Sequence, residues 1–398
     1  MTHSTGSPAD LRPLVHLVLA RSSAGVQVGS VAAVAPIMSV ELGLSGAELG
    51  ALAGIYTAMT LLISIPGAAW ARRFGDERMV VLSFALMTAG GLLLALAPNL
   101  QLALAGRLIA GCGGVMVQML LSRMVADRYV GGPYGSSAVG TILASWPAGI
   151  AVALLVLGPL AQVAGWRASL LVAALAPAIF MVWRAWAEAA APVQQGHARP
   201  LFDYTPPEWR AVIILSLGYL CFNGALACYV AFVPVMMSQS GASAANAALQ
   251  AAVAMGVLAV FTPFGGVIAD RIGKPVVVMV GASIGAALAM LGTVLMSSPL
   301  MALALAGAMF ALAPGPMGAA LTSAVRPQGR PAGFALFAVF ANVGIMLAPP
   351  FAGWLSDVGG SASWAILFSA ALIAANAPLV LLARAQPSSG ASSHERSS

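Results

Sequence analysis

An apolar run of roughly 20 residues recurs twelve times along this 398-residue chain, between short polar connections. At 1.5 Å per residue such a run crosses a bilayer as a helix, and the runs are continuous rather than alternating, which argues against transmembrane strands. They fall at 14–38, 49–71, 79–97, 101–125, 136–158, 168–187, 210–236, 246–268, 275–296, 299–322, 333–356 and 363–383. The expected fold is an all-α membrane protein of twelve transmembrane helices. Only 8% of residues are charged, against about 25% in a soluble domain. The polar start, MTHSTGSPADLRP, lacks the cationic, apolar, cleavable order of a signal peptide.

The net charge of +6 invites a nucleic-acid reading, which the distribution of charge rejects. Fifteen Arg and Lys residues fall on one side of the spans, Arg167 alone on the other, and Arg21 and Arg107 within spans. Such asymmetry follows the positive-inside rule. It predicts a multi-pass protein of a bacterial-type inner membrane with both termini cytoplasmic. Cys112, Cys221 and Cys228 sit in apolar spans without ligand spacing, so they read as small core residues and no metal is expected.

The chain divides near its middle. Residues 1–187 form a first six-span bundle, 188–209 a central cytoplasmic loop, 210–383 a second bundle and 384–398 a Ser/Gly-rich tail. Thr205-Pro-Pro-Glu208 reads as a capping box that starts the seventh span. Identical residues recur at a spacing of 198: Pro36/Pro234, Gly43/Gly241, Ser45/Ser243, Arg73/Arg271, Gly75/Gly273, Gly135/Gly333 and Trp166/Trp364. The halves are thus an internal repeat, an arrangement that places a site between them near the midplane and lets them rock.

Gly266-Val-Ile-Ala-Asp270-Arg271-Ile-Gly273-Lys274, after the eighth span, resembles the loop signature of the major facilitator superfamily. Arg107-Leu-Ile-Ala-Gly111-Cys-Gly113-Gly114, in the fourth, is similar to that superfamily's second common pattern. With the 6+6 layout the resemblance covers nearly the whole chain. It implies two pseudo-symmetric bundles, a cavity lined by spans 1, 4, 7 and 10, gating by the loop residues, and a structural or proton-coupling role for Arg107. The first-half loop, with Arg73 and Gly75, departs from the pattern by carrying Arg72 where the family usually has Asp. These loops can equally hold topology alone. The chain is also remotely similar to permeases grouped with cyanate and nitroimidazole carriers, although their Asn-Leu-Arg-Pro stretch is absent.

All twelve acids fall in loops, tails or span ends, so no carboxylate occupies the membrane core. That disfavours a pump for lipophilic cations and leaves Arg21 without an acidic neighbour. Arg21 then either faces the cavity as an anion-binding group or reaches back to the headgroups or to backbone carbonyls. Arg107 is expected to bond Gln27, at similar depth on the first span, or carbonyls nearby. Ala313-Pro-Gly-Pro316 should break the tenth span, exposing Pro314 and Gly315 as hinge or substrate contact. Tyr219, the repeat partner of Arg21, and Asn223 are further candidate ligands on the seventh span; such residues also bond between helices. Trp146 precedes a proline bend and can stack on substrate, or merely mark the bend. His16 is a candidate proton carrier or an interfacial residue.

No phosphate loop, dinucleotide fingerprint or nucleophile elbow is present, so neither an enzyme nor a bound cofactor is expected. The expected function is alternating-access transport of a small, carboxylate-like organic anion by a monomer in the bilayer, with a proton carried on the substrate or His16. Export of neutral or amphipathic drugs is the alternative. A transport-inactive sensor on the same fold ranks third.

Overall fold

A computed structural model describes residues 12–129, 135–186, 204–296, 298–326 and 329–384. They form thirteen helices and, among the described residues, no strand. The first half contains α1 (Arg12–Leu42), α2 (Gly46–Phe74), α3 (Asp76–Ala95), α4 (Leu100–Tyr129), α5 (Gly135–Ala164) and α6 (Trp166–Trp186). The second contains α7 (Pro206–Gln239), α8 (Ala244–Ile272), α9 (Pro275–Leu295), α10 (Leu300–Leu312), α11 (Pro314–Ala324), α12 (Arg330–Gly359) and α13 (Ser363–Arg384). Twelve spans are long and apolar enough to cross a membrane, with α10 and α11 together making one. Most of the 188–209 loop and the tail beyond Arg384 lie outside the described residues.

Several repeated residues turn out to be backbone devices. Gly43 and Gly241 leave α1 and α7 at φ 64° and 94°, and Gly75 and Gly273 end α2 and α8 at 89° and 65°. Only glycine adopts that region without strain. Ser45 accepts from the Glu48 amide at 3.2 Å, and Ser243 from the Asn246 amide at 3.3 Å, so both serines cap the helix that follows. At the start of α7 the Glu208 carboxylate accepts from the Thr205 amide at 2.8 Å. The helices overrun the expected spans by a few residues at many ends, because hydropathy marks the lipid-facing length whereas backbone bonding continues into polar turns.

α2 packs against α12, α5 against α8 and α1 against α7, joining the halves. Small residues make the approach possible, as packing in lipid requires. Gly50 and Gly54 of α2 press on the Pro349 and Met346 carbonyls, and Gly158 of α5 presses on Ala248. One buried cluster runs through both halves, from Val31–Ala35 of α1 through Phe222–Val233 of α7 to Ala247–Leu258 of α8. A second contains first-half residues only, at the end where the basic loops lie: Leu14, Ala24, Phe84, Met116 and Ile142 are members. In the first half the shared core is confined to the end away from the basic loops and a separate core lies near them, whereas in the second half the shared core continues to Tyr204, Leu321 and Val325. The described arrangement is closed at the end opposite the basic loops.

Candidate functional site

Arg21 is 6% exposed. Its guanidinium donates to the Ile142 carbonyl, to Ser145 Oγ at 3.0 Å and to Gln118 Oε1 at 3.5 Å. It thereby joins α1 to α4 and α5, and its bond to Ile142 is to a backbone carbonyl of a neighbouring helix, one of the alternatives expected for it. All three acceptors are neutral, and among the described residues no ion pair involves it. Its Nε–H is buried without a partner. One turn further on, Gly25 lies against the Trp146 carbonyl and Gly149 against the Ser22 carbonyl, so α1 and α5 cross with backbones in contact. Trp146 Nε1–H is likewise buried and unpartnered. An uncompensated buried guanidinium is costly, and an anion would offset that cost.

Arg107 is fully buried. It donates to the Gln27 carbonyl at 2.8 Å, the Leu52 carbonyl at 2.9 Å and the Ala53 carbonyl at 3.4 Å, so one α4 side chain holds both α1 and α2. The Gln27 side chain turns the other way and donates to the Ala173 carbonyl of α6 at 3.4 Å. Sequence reasoning missed Tyr56, whose ring lies 4.7 Å from the Arg107 guanidinium carbon.

Tyr219 stands in an aromatic column. Its ring stacks on Phe337 of α12 at 4.0 Å and near-parallel to Phe222 at 5.9 Å, and Phe222 meets Phe310 of α10 edge-on at 5.3 Å. Asn223 donates back to the Tyr219 carbonyl at 2.8 Å. His16 is exposed and sits edge-on to Trp183 of α6 at 4.3 Å, a placement separate from Arg21's partners.

The expected break in the tenth span is a one-residue bend at Ala313, which itself keeps helical angles of φ −84° and ψ −41°. The two prolines sit in the first turn of α11, where a missing amide is tolerated, so the chain bends without unwinding. A Cβ at Gly315 would lie 2.9 Å from the Gly266 nitrogen, so the bend rests on α8 and two candidate residues meet there. Arg73, Arg271 and Lys274 are exposed, and the Arg73 guanidinium lies over Phe74 at 5.4 Å. The Asp270 side chain lies outside the described residues. An ion pair that the sequence did not reveal joins Asp76, after the first-half loop, to Arg123 of α4 at 2.9 Å.

Between the halves, Thr60 Oγ1 of α2 donates to Asn342 Oδ1 of α12 at 3.1 Å. Nearer the closed end, Asp357 of α12 accepts from α2, and Gln162 of α5 from α8. Within each half, position 41 and its repeat partner 239 seal the same junction. Glu41 accepts from Trp166 Nε1 at 2.7 Å and from Arg167, and Gln239 accepts from the Ala362 amide at 2.8 Å. None of these acceptors carried a local motif.

A family model described as Major Facilitator Superfamily matches residues 17–215 and 215–397. The nitrite extrusion protein of Bacillus subtilis (strain 168) is 23% identical over 275 residues, covering 66% of this chain. The match spans 65% of that relative, less than two thirds of its length. A bacterial homologue of the human lysosomal transporter Spinster, in an inward-facing and occupied conformation, superposes with a TM-score of 0.76 at 17% identity. That match covers 95% of this chain and 97% of the other. The nucleoside transporter NupG gives a TM-score of 0.72 at 15% identity, covering 93% and 99%.

Proposed function

The chain belongs to the major facilitator superfamily, and from that premise we propose that this multi-pass membrane protein moves a small carboxylate-like anion by alternating access. The observation that carries the reading is Arg21: a guanidinium 6% exposed, held by neutral acceptors, with an unpartnered Nε–H. A permanent cation in a low-dielectric interior attracts an anion far more strongly than it would in water. Carboxylates and nitrite both present two oxygens in one plane, the form that a guanidinium fork matches. The Bacillus subtilis relative, described as a nitrite extrusion protein, supports the same charge class.

Arg21 supplies charge in the first half, and Tyr219 and Asn223, at and near the repeat-related position, supply polar contacts in the second. Trp146 donates its free indole N–H. The bend at Pro314 and Gly315 acts as a hinge against Gly266, and the gating loops (Arg73 and Gly75, Asp270 to Lys274) meet as the halves rock. Arg107 and Gln27 hold the first half rigid around this motion. The asymmetry of basic residues orients the protein with both termini in the cytoplasm of an inner membrane. The closed end then faces outward. A proton accompanies the substrate, on the anion itself or on the exposed His16.

Uptake of labelled monocarboxylates and of nitrite into proteoliposomes tests the reading. Arg21→Ala should abolish saturable uptake, and Arg21→Lys should raise KM. Parental uptake by Arg21→Ala would refute the anion site. The aromatic column from Phe310 to Phe337 favours a second reading, export of amphipathic compounds. A susceptibility panel with and without the protein distinguishes the two.

A further inference from the structure

Two of the seams that join the halves, α2 with α12 and α5 with α8, end in the same device. At one, the Asp357 carboxylate, near the end of α12, accepts from the Gly46 amide at 2.6 Å and the Ala47 amide at 2.9 Å, the first two of α2. At the other, the Gln162 side-chain oxygen, near the end of α5, accepts from the Ala245 amide at 3.1 Å, in the first turn of α8. Ala47 and Ala245 are repeat-related, 198 residues apart. One seam is thus capped by a charge and the other by a neutral amide.

First-turn amides have no acceptor within their own helix, and they carry the positive end of its dipole. Ser45 satisfies the Glu48 amide; Asp357 satisfies the two before it, from the other half of the protein. Bonds from amides to a carboxylate are about twice as strong as neutral ones. Beneath this cap, Gly353 lies so close to the Gly46 carbonyl that no Cβ fits. Packing of that kind fixes the fit of the seam but supplies no charge.

In two halves that rock, this seam must part before the closed end can open. We propose that Asp357 is a charged latch: its grip on the Gly46 and Ala47 amides sets the balance between the described arrangement and one open on that side. The inference rests on the fold and these contacts, and stands whatever the substrate. Removing the charge should raise the share of the open arrangement about five- to tenfold. Asp357 is exposed, so salt should weaken the latch in the parent and act less on a variant without the charge.

The test uses full-length protein in lipid nanodiscs, with Cys112, Cys221 and Cys228 replaced by alanine and spin labels at Val40→Cys and Leu295→Cys. Those positions are 83% and 80% exposed, in opposite halves at the closed end. Pulsed electron resonance then reads the distance between them. The parent should show a dominant short distance; Asp357→Asn should increase a longer component, and Gly353→Ala, which wedges the same seam, should define how long that component is. An Asp357→Asn distribution that superimposes on the parental one overturns the latch, whatever Gly353→Ala does. Should Asp357→Asn not yield folded protein, Gln162→Glu decides: a charge at the neutral cap must shrink the long component, and no change or an increase overturns the proposal.

Discussion

The guanidinium of Arg107 lies 4.7 Å from the centroid of the Tyr56 ring, inside a first half where neither side chain reaches solvent. Three of its N–H groups hold carbonyls of α1 and α2. Lysine carries its three donors on one compact nitrogen and cannot span acceptors set around a planar guanidinium fork. Arg107→Lys should therefore destabilise by about 2–4 kcal/mol and Arg107→Ala by about 3–5 kcal/mol. Tyr56→Phe should cost little, because the hydroxyl is buried without a partner and the ring stays. Unfolding in detergent measures all three, and an Arg107→Lys variant as stable as the parent would contradict the assignment.

Gly114 tests the same cluster from the opposite side. A Cβ there would collide with the Tyr56 hydroxyl and ring. Overpacking of this kind costs about 1–3 kcal/mol, so Gly114→Ala should lower stability by that amount. Tyr56→Leu in the Gly114→Ala background should recover part of the loss. Strictly additive effects in a double-mutant cycle would show that the two residues do not press on each other.

Much of the fold was legible because lipid demands long apolar helices and turns demand particular residues. Gly43, Gly75, Gly241 and Gly273 recur at the repeat spacing because each ends a helix at positive φ, and Ser45 and Ser243 because each caps one. Arg21 and Arg107 stood out as charges within spans. Of their partners, Gln27 was expected for Arg107 and its carbonyl accepts, whereas Ile142 and Leu52 did not stand out, since they too are reached through backbone carbonyls, which every residue type carries. Asp357 was equally hidden: it lies 311 positions from Gly46 and binds an amide with no side-chain signature. The expected helix break was overestimated for another reason. Prolines at Pro314 and Pro316 fall in the first turn of a new helix, where they interrupt least.

Glu208 makes a prediction at the start of the second half. It is 6% exposed, accepts from the Thr205 amide, and also takes the Arg326 amide at 2.9 Å and Arg326 Nε at 3.0 Å. Removing it takes away an acceptor shared by the Thr205 and Arg326 amides and by Arg326 Nε. Glu208→Ala should cost about 2 kcal/mol. Glu208→Gln keeps an acceptor oxygen and should cost roughly half as much. Equal melting temperatures for parent and Glu208→Ala would show that this junction contributes nothing to stability.

The bend at Ala313 separates packing from motion. Pro314 and Pro316 leave the Phe310 and Leu312 carbonyls without their usual helical donors. Pro314→Ala returns one donor, worth about 1 kcal/mol, and loosens the unfolded chain by a similar amount. Its net effect on stability should lie within about 1 kcal/mol of zero. Gly315→Ala differs, because its Cβ would press on the Gly266 backbone and push α11 from α8; a cost of about 1–3 kcal/mol is expected. If the bend is a hinge, Pro314→Ala should slow transport several-fold while the melting temperature holds. Transport and melting measured on the same preparations decide the matter, and a Pro314→Ala variant at parental rate would leave the bend a packing feature against Gly266.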